Sequence, residues 1–296
     1  MKYEFMQMHE SDFSIERMSA VLNISRSGYY KYIHTKPSAR AQENERLYQA
    51  IRKIHDASRQ TYGSPRIFSE LREAGEKCSR KRVAKIMKKN GIAAKMKKRF
   101  RVTTRSNPQA IAAPNLLKQD FVAAKPNQRW VADLTYVATE EGWLYVAAVL
   151  DLFSRRIVGL SMSERMTSDL VVSALQQAIT HRKPDKDLMH HSDRGTQYTS
   201  QAFQDLLNKY CIIASMSGSG NCYDNAAMES FFHTLKTEHV YFEFYKTREE
   251  ARQSIFEYVE VFYNRKRRHS TLGYVSPMVF ENHWRKEVGI SLLSVH

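Results

Sequence analysis

Three apolar segments joined by short turns place the strongest constraint on the fold. They cover residues 130–137, 143–150 and 157–162 and are rich in β-branched and aromatic residues. Segments of this kind, separated by only a few residues, predict three consecutive strands of an antiparallel meander. The middle segment is apolar throughout, which favours a buried position at the centre of the sheet.

Helical and extended patterns alternate after this meander. Apolar residues recur at helical spacing in residues 168–181, 201–210 and 224–239, and short apolar segments at 188–192 and 212–216 lie between these helices. Helices that alternate with strands predict an α/β domain in which helices flank both faces of a mixed sheet. The longest apolar run has eight residues, fewer than the roughly 18 of a membrane helix, so no membrane partner is expected.

Positive charge is concentrated in one part of the chain. The net charge is +15, and the 43 residues between Glu76 and Asp120 contain fourteen Lys or Arg and no acidic residue. Such a segment repels itself unless a polyanion neutralises it, and nucleic acid is the natural partner. The N-terminus has no apolar signal segment and the three cysteines form no CxxC pair, so we expect a cytoplasmic protein.

The first 91 residues predict short helices only. Residues 1–40 contain two amphipathic helices separated by a turn, which predicts a helix-turn-helix-like segment, with a plain helical hairpin as the alternative. Residues 41–91 contain three helices. The third of these begins with Arg80, Lys81 and Arg82. Because a recognition helix directs its N-terminal residues at bases or phosphates, these three cations are predicted to bind DNA. A plain three-helix bundle is the alternative.

Residues 92–126 predict a linker between the helical front and the α/β domain at residues 127–288. The prolines of this segment interrupt any regular periodicity, and its first half is strongly basic. A basic linker can follow a DNA backbone between two bound domains. The DNA contacts predicted in this segment are Lys95, Lys97, Lys98, Arg99 and Arg101.

Three acidic residues occupy positions where a carboxylate needs a partner. Asp133 lies in the middle of the first predicted strand, Asp193 follows the end of the fourth, and Glu229 lies within the helix at 224–239. A buried unpaired carboxylate is costly, and converging carboxylates repel one another. Mg²⁺ reverses these costs because it prefers oxygen ligands. A hydrogen bond or salt bridge is the alternative for each acid by itself, whereas the set of three predicts metal ligation.

The segments around these acids resemble a known family. The spacing of Asp193 and Glu229, with 35 residues between them, belongs to the resemblance. The chain is similar to the catalytic subunit, often called OrfB, of DDE-type bacterial insertion-sequence transposases with a retroviral-integrase-like core. The matching segments are 62–67, 130–135, 191–198, 220–232 and 263–274.

The resemblance implies a fold, a cofactor and a reaction. The fold is a ribonuclease-H-like mixed sheet flanked by helices and preceded by all-α helix-turn-helix DNA-binding units. Asp133, Asp193 and Glu229 would hold two Mg²⁺ ions, for which Mn²⁺ can substitute, and would be the catalytic residues. Water attacks a phosphodiester at an element end and releases a 3′-OH, which then attacks another phosphodiester in-line and joins the strands.

The resemblance also implies the partners. These are the DNA of the element ends and of the target, a second copy of the chain when two ends are paired, and the product of a companion reading frame. The bacterial protein would be associated with the nucleoid when it is bound to DNA.

Two other functions remain compatible with the residues. A ribonuclease-H-like nuclease or resolvase would share the three carboxylates, and a DNA-binding regulator would have an inactive core. Joining of a pre-cut 3′-OH end separates a transposase from a nuclease. The Asp193→Asn substitution separates a transposase from a regulator, since a regulator would keep every DNA-dependent activity.

Further DNA contacts are predicted in the second half of the chain. Lys236 shares a helix face with Glu229 and would lie near a phosphate, with a solvated lysine as the alternative. Arg267 and His269 belong to a basic cluster in an otherwise neutral region and are predicted to contact the DNA backbone; a plain exposed helix end is the alternative. Asp224 is interpreted as the N-cap of the helix that carries Glu229.

Overall fold

The computed structural model describes residues 1–34, 37–96, 113–218 and 222–289. Within these ranges the chain forms eleven α-helices and one sheet of five strands. No helix in this part of the chain combines the length and the apolar character needed to cross a membrane. The predicted linker contacts that lie outside the described residues are Lys97, Lys98, Arg99 and Arg101.

Three short helices form the N-terminal unit. The hydroxyl of Ser14 accepts a hydrogen bond from the N–H of Arg17 and caps the second helix. The small core of the unit contains Met6, Met18 and Tyr29. The sequence predicts the second and third helices but not the first, which buries Met6 alone and therefore lacks an apolar periodicity. The helices are α1 (Lys2–Met8), α2 (Ile15–Leu22) and α3 (Arg26–His34).

The three helices predicted for residues 41–91 are present. They are α4 (Ala39–Ala57), α5 (Ser64–Glu73) and α6 (Arg80–Lys89). The hydroxyl of Ser79 accepts from the N–H of Arg82 and caps α6, and Gly91 follows the helix with a φ of +67°. The side chains that pack between these helices include Leu47, Ile51, Ile67, Leu71 and Val83.

The sheet has the mixed topology that the sequence predicts. The strand order is β3–β2–β1–β4–β5. The first three strands form the antiparallel meander, whereas β4 runs parallel to both β1 and β5. The strands are β1 (Arg129–Thr139), β2 (Gly142–Asp151), β3 (Ile157–Ser163), β4 (Met189–Ser192) and β5 (Ile213–Met216).

Helices cover both faces of this sheet. Successive side chains of a strand point to opposite faces, so Trp130 and Val131 of β1 belong to different cores. Trp130 packs with α7 and α8, and Val131 belongs to the core shared with α9 and α10. The remaining helices are α7 (Ser168–Arg182), α8 (Gln201–Lys209), α9 (Ala226–Glu238), α10 (Arg248–Glu257) and α11 (Pro277–Glu287).

The helical unit α4–α6 packs directly on the α/β domain, and one apolar core contains residues of both. The buried Tyr62 hydroxyl donates to the carbonyl oxygen of Lys266 at 3.1 Å and accepts from the N–H of Arg268 at 2.8 Å. The Arg268 guanidinium binds Glu70 at 2.6 Å and also pairs with Glu73. Residues 263–274, called the tail below, thus hold the helical unit against the α/β domain.

Candidate active site

Strand register brings Asp133 and Asp193 to one edge of the sheet. Val131 of β1 pairs with His191 of the parallel strand β4. Asp133 and Asp193 each lie two residues further along their chains. Because parallel neighbours advance in the same direction, the two carboxylates lie side by side where β4 ends.

The pKa of Asp133 responds to the charges of the other two acids. Burial of its carboxyl group, together with the negative charges of Asp193 and Glu229, raises the pKa of Asp133 to about 8. The N–H of Leu134 donates to its Oδ1 at 2.8 Å, and the charge of Lys236 also favours the ionised form. Asp133 is therefore a carboxylate with more negative than positive charge around it.

Asp193 is held by the turn that follows it. Its Oδ1 accepts from the N–H of Gly195 at 2.9 Å, while burial raises the pKa of Asp193. A Cβ at position 195 would lie 3.0 Å from that same oxygen and 3.1 Å from the side-chain oxygen of Gln197. A side chain at this position would therefore press on the Asp193 carboxylate.

Glu229 lies in the first turn of α9, and partial burial raises its pKa. Its charge acts on Asp133, so the helix carries it to the edge where the two aspartates lie. Within the described ranges, no three His, Cys, Asp or Glu side chains are grouped closely enough to hold a metal ion. In this conformation the charges of Asp193 and Glu229 act on Asp133, but the three carboxylates are not close enough together to bind one metal ion.

A buried histidine network supports the strand that leads to Asp193. The Oγ of Ser215 accepts from the N–H groups of Leu116 and Leu117 at 3.0 and 3.2 Å. Its own proton is therefore donated to Nδ1 of His191, 2.8 Å away. His191 then carries its proton on Nε2 and donates to Ser217 at 3.2 Å. Burial lowers the pKa of His191 to about 4, which agrees with this neutral form.

The interpretation of Asp224 as a helix cap is wrong. A 3₁₀ turn precedes α9, so Asn225 takes the N-cap position and Asp224 lies inside the turn. The buried Asp224 carboxylate accepts from the side-chain amides of Asn115 and Gln119 at 2.8 and 3.1 Å, and from the N–H of Gly218 at 2.8 Å. It thus ties the end of the linker to the loop between β5 and α9.

Sequence reasoning misses the side chains that hold this edge together. Asn115 and Gln119 lie 109 and 105 residues before Asp224, and Ser215 follows Leu117 by 98 residues. Contacts at such separations have no periodic signal. The only local indication was that Asn115 and Gln119 are polar residues in the segment before the first strand.

Lys236 lies near Asp133, as its position on the same helix face as Glu229 predicts. Its ammonium group is 5.2 Å from the centre of the Tyr136 ring, and its charge acts on Asp133. Burial lowers the pKa of Lys236. The side chain is therefore a partly desolvated cation beside the carboxylates.

The predicted DNA contacts at Arg267 and His269 do not agree with the structure. Arg267 is 4% exposed, and its Nε and Nη2 donate to the carboxylate of Glu238 at 2.7 and 2.6 Å. Its Nη1 donates to Nε2 of His269 at 3.2 Å, and the His269 ring packs against Tyr263 with 4.8 Å between ring centres. Both side chains point inward because the tail folds back to fasten the helical unit.

The cations at the start of α6 differ in their surroundings. Arg80 and Lys81 are exposed in its first turn. Arg82 instead turns toward α4, where its guanidinium donates to Glu43 and Asn44, each at 2.9 Å. Arg80 and Lys81 are thus presented to solvent, while Arg82 supports the packing of two helices.

Lys95 is the described member of the predicted linker contacts. Its N–H donates to the carbonyl of Gln60 at 2.7 Å, and its ammonium lies 4.2 Å from the centre of the Phe242 ring. The start of the linker is therefore held between the helical unit and the α/β domain.

The mixed sheet, with Asp133 in β1 beside the end of β4, and the family matches together define an integrase-type polynucleotidyl transferase core. The Integrase core domain family matches residues 123–222, and a second family of that description matches 229–284. The HTH-like domain family matches residues 42–100. The comparison thus agrees with a helical DNA-binding front and a catalytic core.

Curated relatives identify the family. The chain is 43% identical over 284 residues to the transposase InsF for insertion sequence IS3A of Escherichia coli (strain K12), with 95% of this chain and 99% of that protein covered. It is 46% identical over 269 residues to the uncharacterized 31 kDa protein of insertion element IS600 of Shigella sonnei, with 91% and 99% covered. The chain belongs to the family of insertion-sequence transposases with an integrase-like core.

Two viral integrase structures are also similar to this chain. The simian T-cell lymphotropic virus intasome, in complex with PP2A regulatory subunit B56 gamma, has 17% identity and a TM-score of 0.47 and covers 77% of this chain and 73% of that one. The HTLV-2 integrase catalytic core domain in complex with magnesium has 18% identity and a TM-score of 0.42, with 54% and 99% covered.

Proposed function

We propose that this chain cleaves DNA at the ends of an insertion sequence and joins the released 3′-OH to target DNA. The observation that carries the proposal is that Asp133 in β1 and Asp193 just after β4 each lie two residues beyond the Val131–His191 pair, within electrostatic reach of Glu229. The membership of the transposase family supports the same reaction. We assign the catalytic roles to these three carboxylates.

The three carboxylates supply the kind of donor atom that a divalent cation prefers. Magnesium prefers carboxylate oxygens, and Asp133 has excess negative charge around it that a cation would offset. Asp133, Asp193 and Glu229 would hold two Mg²⁺ ions, or Mn²⁺ in their place. When bound, such ions lower the pKa of an attacking water and balance the charge of the leaving oxygen.

The cations of the chain would bind and orient the DNA. Lys236 lies beside Asp133 and would contact a phosphate next to the scissile bond. Arg80 and Lys81 are exposed at the N-terminal end of α6, where a helix favours phosphate binding. Lys95 and the four linker cations that follow it would track the backbone between the two domains.

The reaction also sets the assembly. Joining two element ends to one target requires that both ends be held at once, so the active form would contain at least two copies of the chain. A companion reading-frame product would act at the recognition of the ends, on DNA of the nucleoid. Adding or omitting that product in the assay below measures its contribution.

The test is a strand-joining assay with a DNA end that already carries a 3′-OH. We expect Mg²⁺-dependent joining that Asp193→Asn and Glu229→Gln each reduce by about 100-fold or more, roughly 2.7 kcal/mol of transition-state stabilisation. The affinity for DNA should stay within about 2-fold of the native value, because the substitutions leave the basic residues of the helical unit and the linker unchanged. Removal of divalent ions with EDTA should have the same effect as Asp193→Asn.

The matched control is Asp187→Asn, which neutralises an exposed acid of the same domain. It should leave joining unchanged. Cleavage without joining in the native chain would support a nuclease instead. Full DNA-dependent activity in Asp193→Asn would support a regulator with an inactive core.

A further inference from the structure

Asn225 occupies the N-cap position of α9 but does not cap the helix. Asparagine is among the best capping residues, yet its side chain makes no cap hydrogen bond here, at φ −120° and ψ 25°. Several other helices do carry a capping side chain at this position, although Thr167 before α7 does not cap its helix. The side chains that cap their helices include Ser14, Ser38, Ser79, Ser200, Thr247 and Ser276.

The Asn225 side chain instead bonds to the central strand. Its Nδ2 donates to the carbonyl oxygen of Ala132 at 3.1 Å, and both residues are buried. The ladder between β1 and β4 ends at Val131, so Ala132 is the first residue of β1 beyond it. The amide of Asn225 thus supplies the next contact to β1 from a different element.

This hydrogen bond joins the two segments that carry Asp133 and Glu229. Ala132 directly precedes Asp133, and Asn225 is one helical turn before Glu229. A single contact therefore links the backbone next to one carboxylate with the helical turn that carries another. The Oδ1 of Asn225 is buried and has no hydrogen-bond partner among the described residues, a cost that a merely structural asparagine would avoid.

The turn that carries Asn225 is itself held in place. The neighbouring Asp224 accepts hydrogen bonds from Asn115, Gln119 and Gly218. Because these contacts fix the backbone before α9, the Asn225 amide is presented to β1 in one orientation. Supporting contacts of this kind hold reactive groups in their working geometry.

We infer that Asn225 is a positioning residue that sets the separation between the carboxylates of Asp133 and Glu229. The inference rests on the proposed function and deepens it. Without the contact to Ala132, α9 still forms, but its first turn loses its fixed distance from β1. The carboxylates then bind a shared divalent cation less well.

The test compares Asn225→Ser and Asn225→Asp with the native full-length chain. Serine is too short to bond Ala132, and aspartate keeps the shape but presents an oxygen to the Ala132 carbonyl. Loss of a residue that supports metal ligands typically costs 10–100-fold. We expect joining to fall by about that factor in both variants, with DNA binding within about 2-fold of the native value.

The second readout needs no DNA. Mn²⁺ should raise the Tm of the native chain, and the Mn²⁺ concentration at half of that rise should be about 10-fold higher or more in both variants. The Tm without metal measures separately any loss of stability that each substitution causes. Asn208→Ser, at an exposed asparagine of α8, is the matched control and should change neither quantity.

Native joining rates and a native Mn²⁺ midpoint in both variants would overturn the inference. A fall in joining that follows a fall in Tm, with the Mn²⁺ midpoint unchanged, would also overturn it and leave Asn225 a purely structural role. Failure of the proposed function shows separately, as a native chain that joins no DNA. The Mn²⁺ midpoint still decides the role of Asn225 in that case.

Discussion

Buried carboxylates in this chain have two kinds of surroundings. Asp133 lies beside other acids, and its pKa is raised to about 8 by burial and by their charges. Glu281 is buried and accepts hydrogen bonds from Arg182 at 2.8 and 2.9 Å and from Ser154 at 2.7 Å. The first arrangement needs a cation from outside, and the second is neutralised within the fold.

Glu238 is a carboxylate that is neutralised within the fold, and its pairing with Arg267 makes the stability of the chain depend on pH. Burial alone would raise its pKa, but hydrogen bonds and charge from Arg267 outweigh this and hold the pKa of Glu238 below the ordinary 4.5. A depressed carboxyl pKa stabilises the fold above pH 4.5, and this contribution is lost as the pH falls through the folded-state value. The native chain should therefore lose stability below about pH 4.5.

The Glu238→Gln variant measures this contribution. Loss of one partner from a buried ion pair costs about 3–5 kcal/mol, so the free energy of unfolding at pH 7 should fall by that amount. The variant should also lose less stability than the native chain between pH 5 and about pH 3.5. Denaturant unfolding across this range gives both quantities, and parallel pH profiles would contradict the assignment.

At the scale of elements, the strands follow the sequence pattern more closely than the helix ends do. Each of the five strands lies within two residues of its predicted range. Strand positions depend on local alternation of apolar residues, which the chain records directly. The start of α9 depends instead on a 3₁₀ turn held by Asp224, which has no local signal.

Helix α6 is the element on which the predicted recognition of DNA depends. Arg80 and Lys81 are exposed at its N-terminal end, whereas Arg82 is paired with Glu43. The double variant Arg80→Ala/Lys81→Ala should weaken DNA binding and flatten its salt dependence. Each lost phosphate contact lowers the slope of log K against log salt by about 0.9, or about 1.8 for the pair.

The control for α6 removes the same charge from the α/β domain. Lys186→Ala/Lys209→Ala changes two exposed lysines outside the helical unit and should leave the slope unchanged. Binding measured at several salt concentrations separates the two variants. An unchanged slope in Arg80→Ala/Lys81→Ala would remove this end of α6 from the DNA interface.

At the scale of the whole molecule, the helical unit and the α/β domain form one packed body through the tail. Tyr62 is the central contact, because its buried hydroxyl bonds two backbone groups of the tail at once. Arg59 and Arg66 add ion pairs to Glu257 at 2.7 Å and to Glu238 at 3.4 Å. The position of helices α4–α6 relative to Asp133 and Asp193 is thus set by contacts within the chain.

The Tyr62→Phe variant tests this arrangement. Removal of the hydroxyl leaves the Lys266 carbonyl and the Arg268 N–H without their partner, which should lower the free energy of unfolding by about 1–3 kcal/mol. Tyr30→Phe, at a tyrosine that is 47% exposed, should change it by less than about 0.5 kcal/mol. Equal values for the two variants in denaturant unfolding would show that Tyr62 does not fasten the two parts.

The sequence by itself determined the strands of the meander, the basic front and the three acids, because periodicity, charge and motif spacing are properties of neighbouring residues. Tertiary structure alone decided which of these residues meet and which face solvent. The register of Val131 with His191 aligns Asp133 with Asp193, and the return of the tail buries Arg267, which the sequence suggested for DNA. Such outcomes depend on contacts between residues far apart in the chain, and these are settled only when the whole molecule packs.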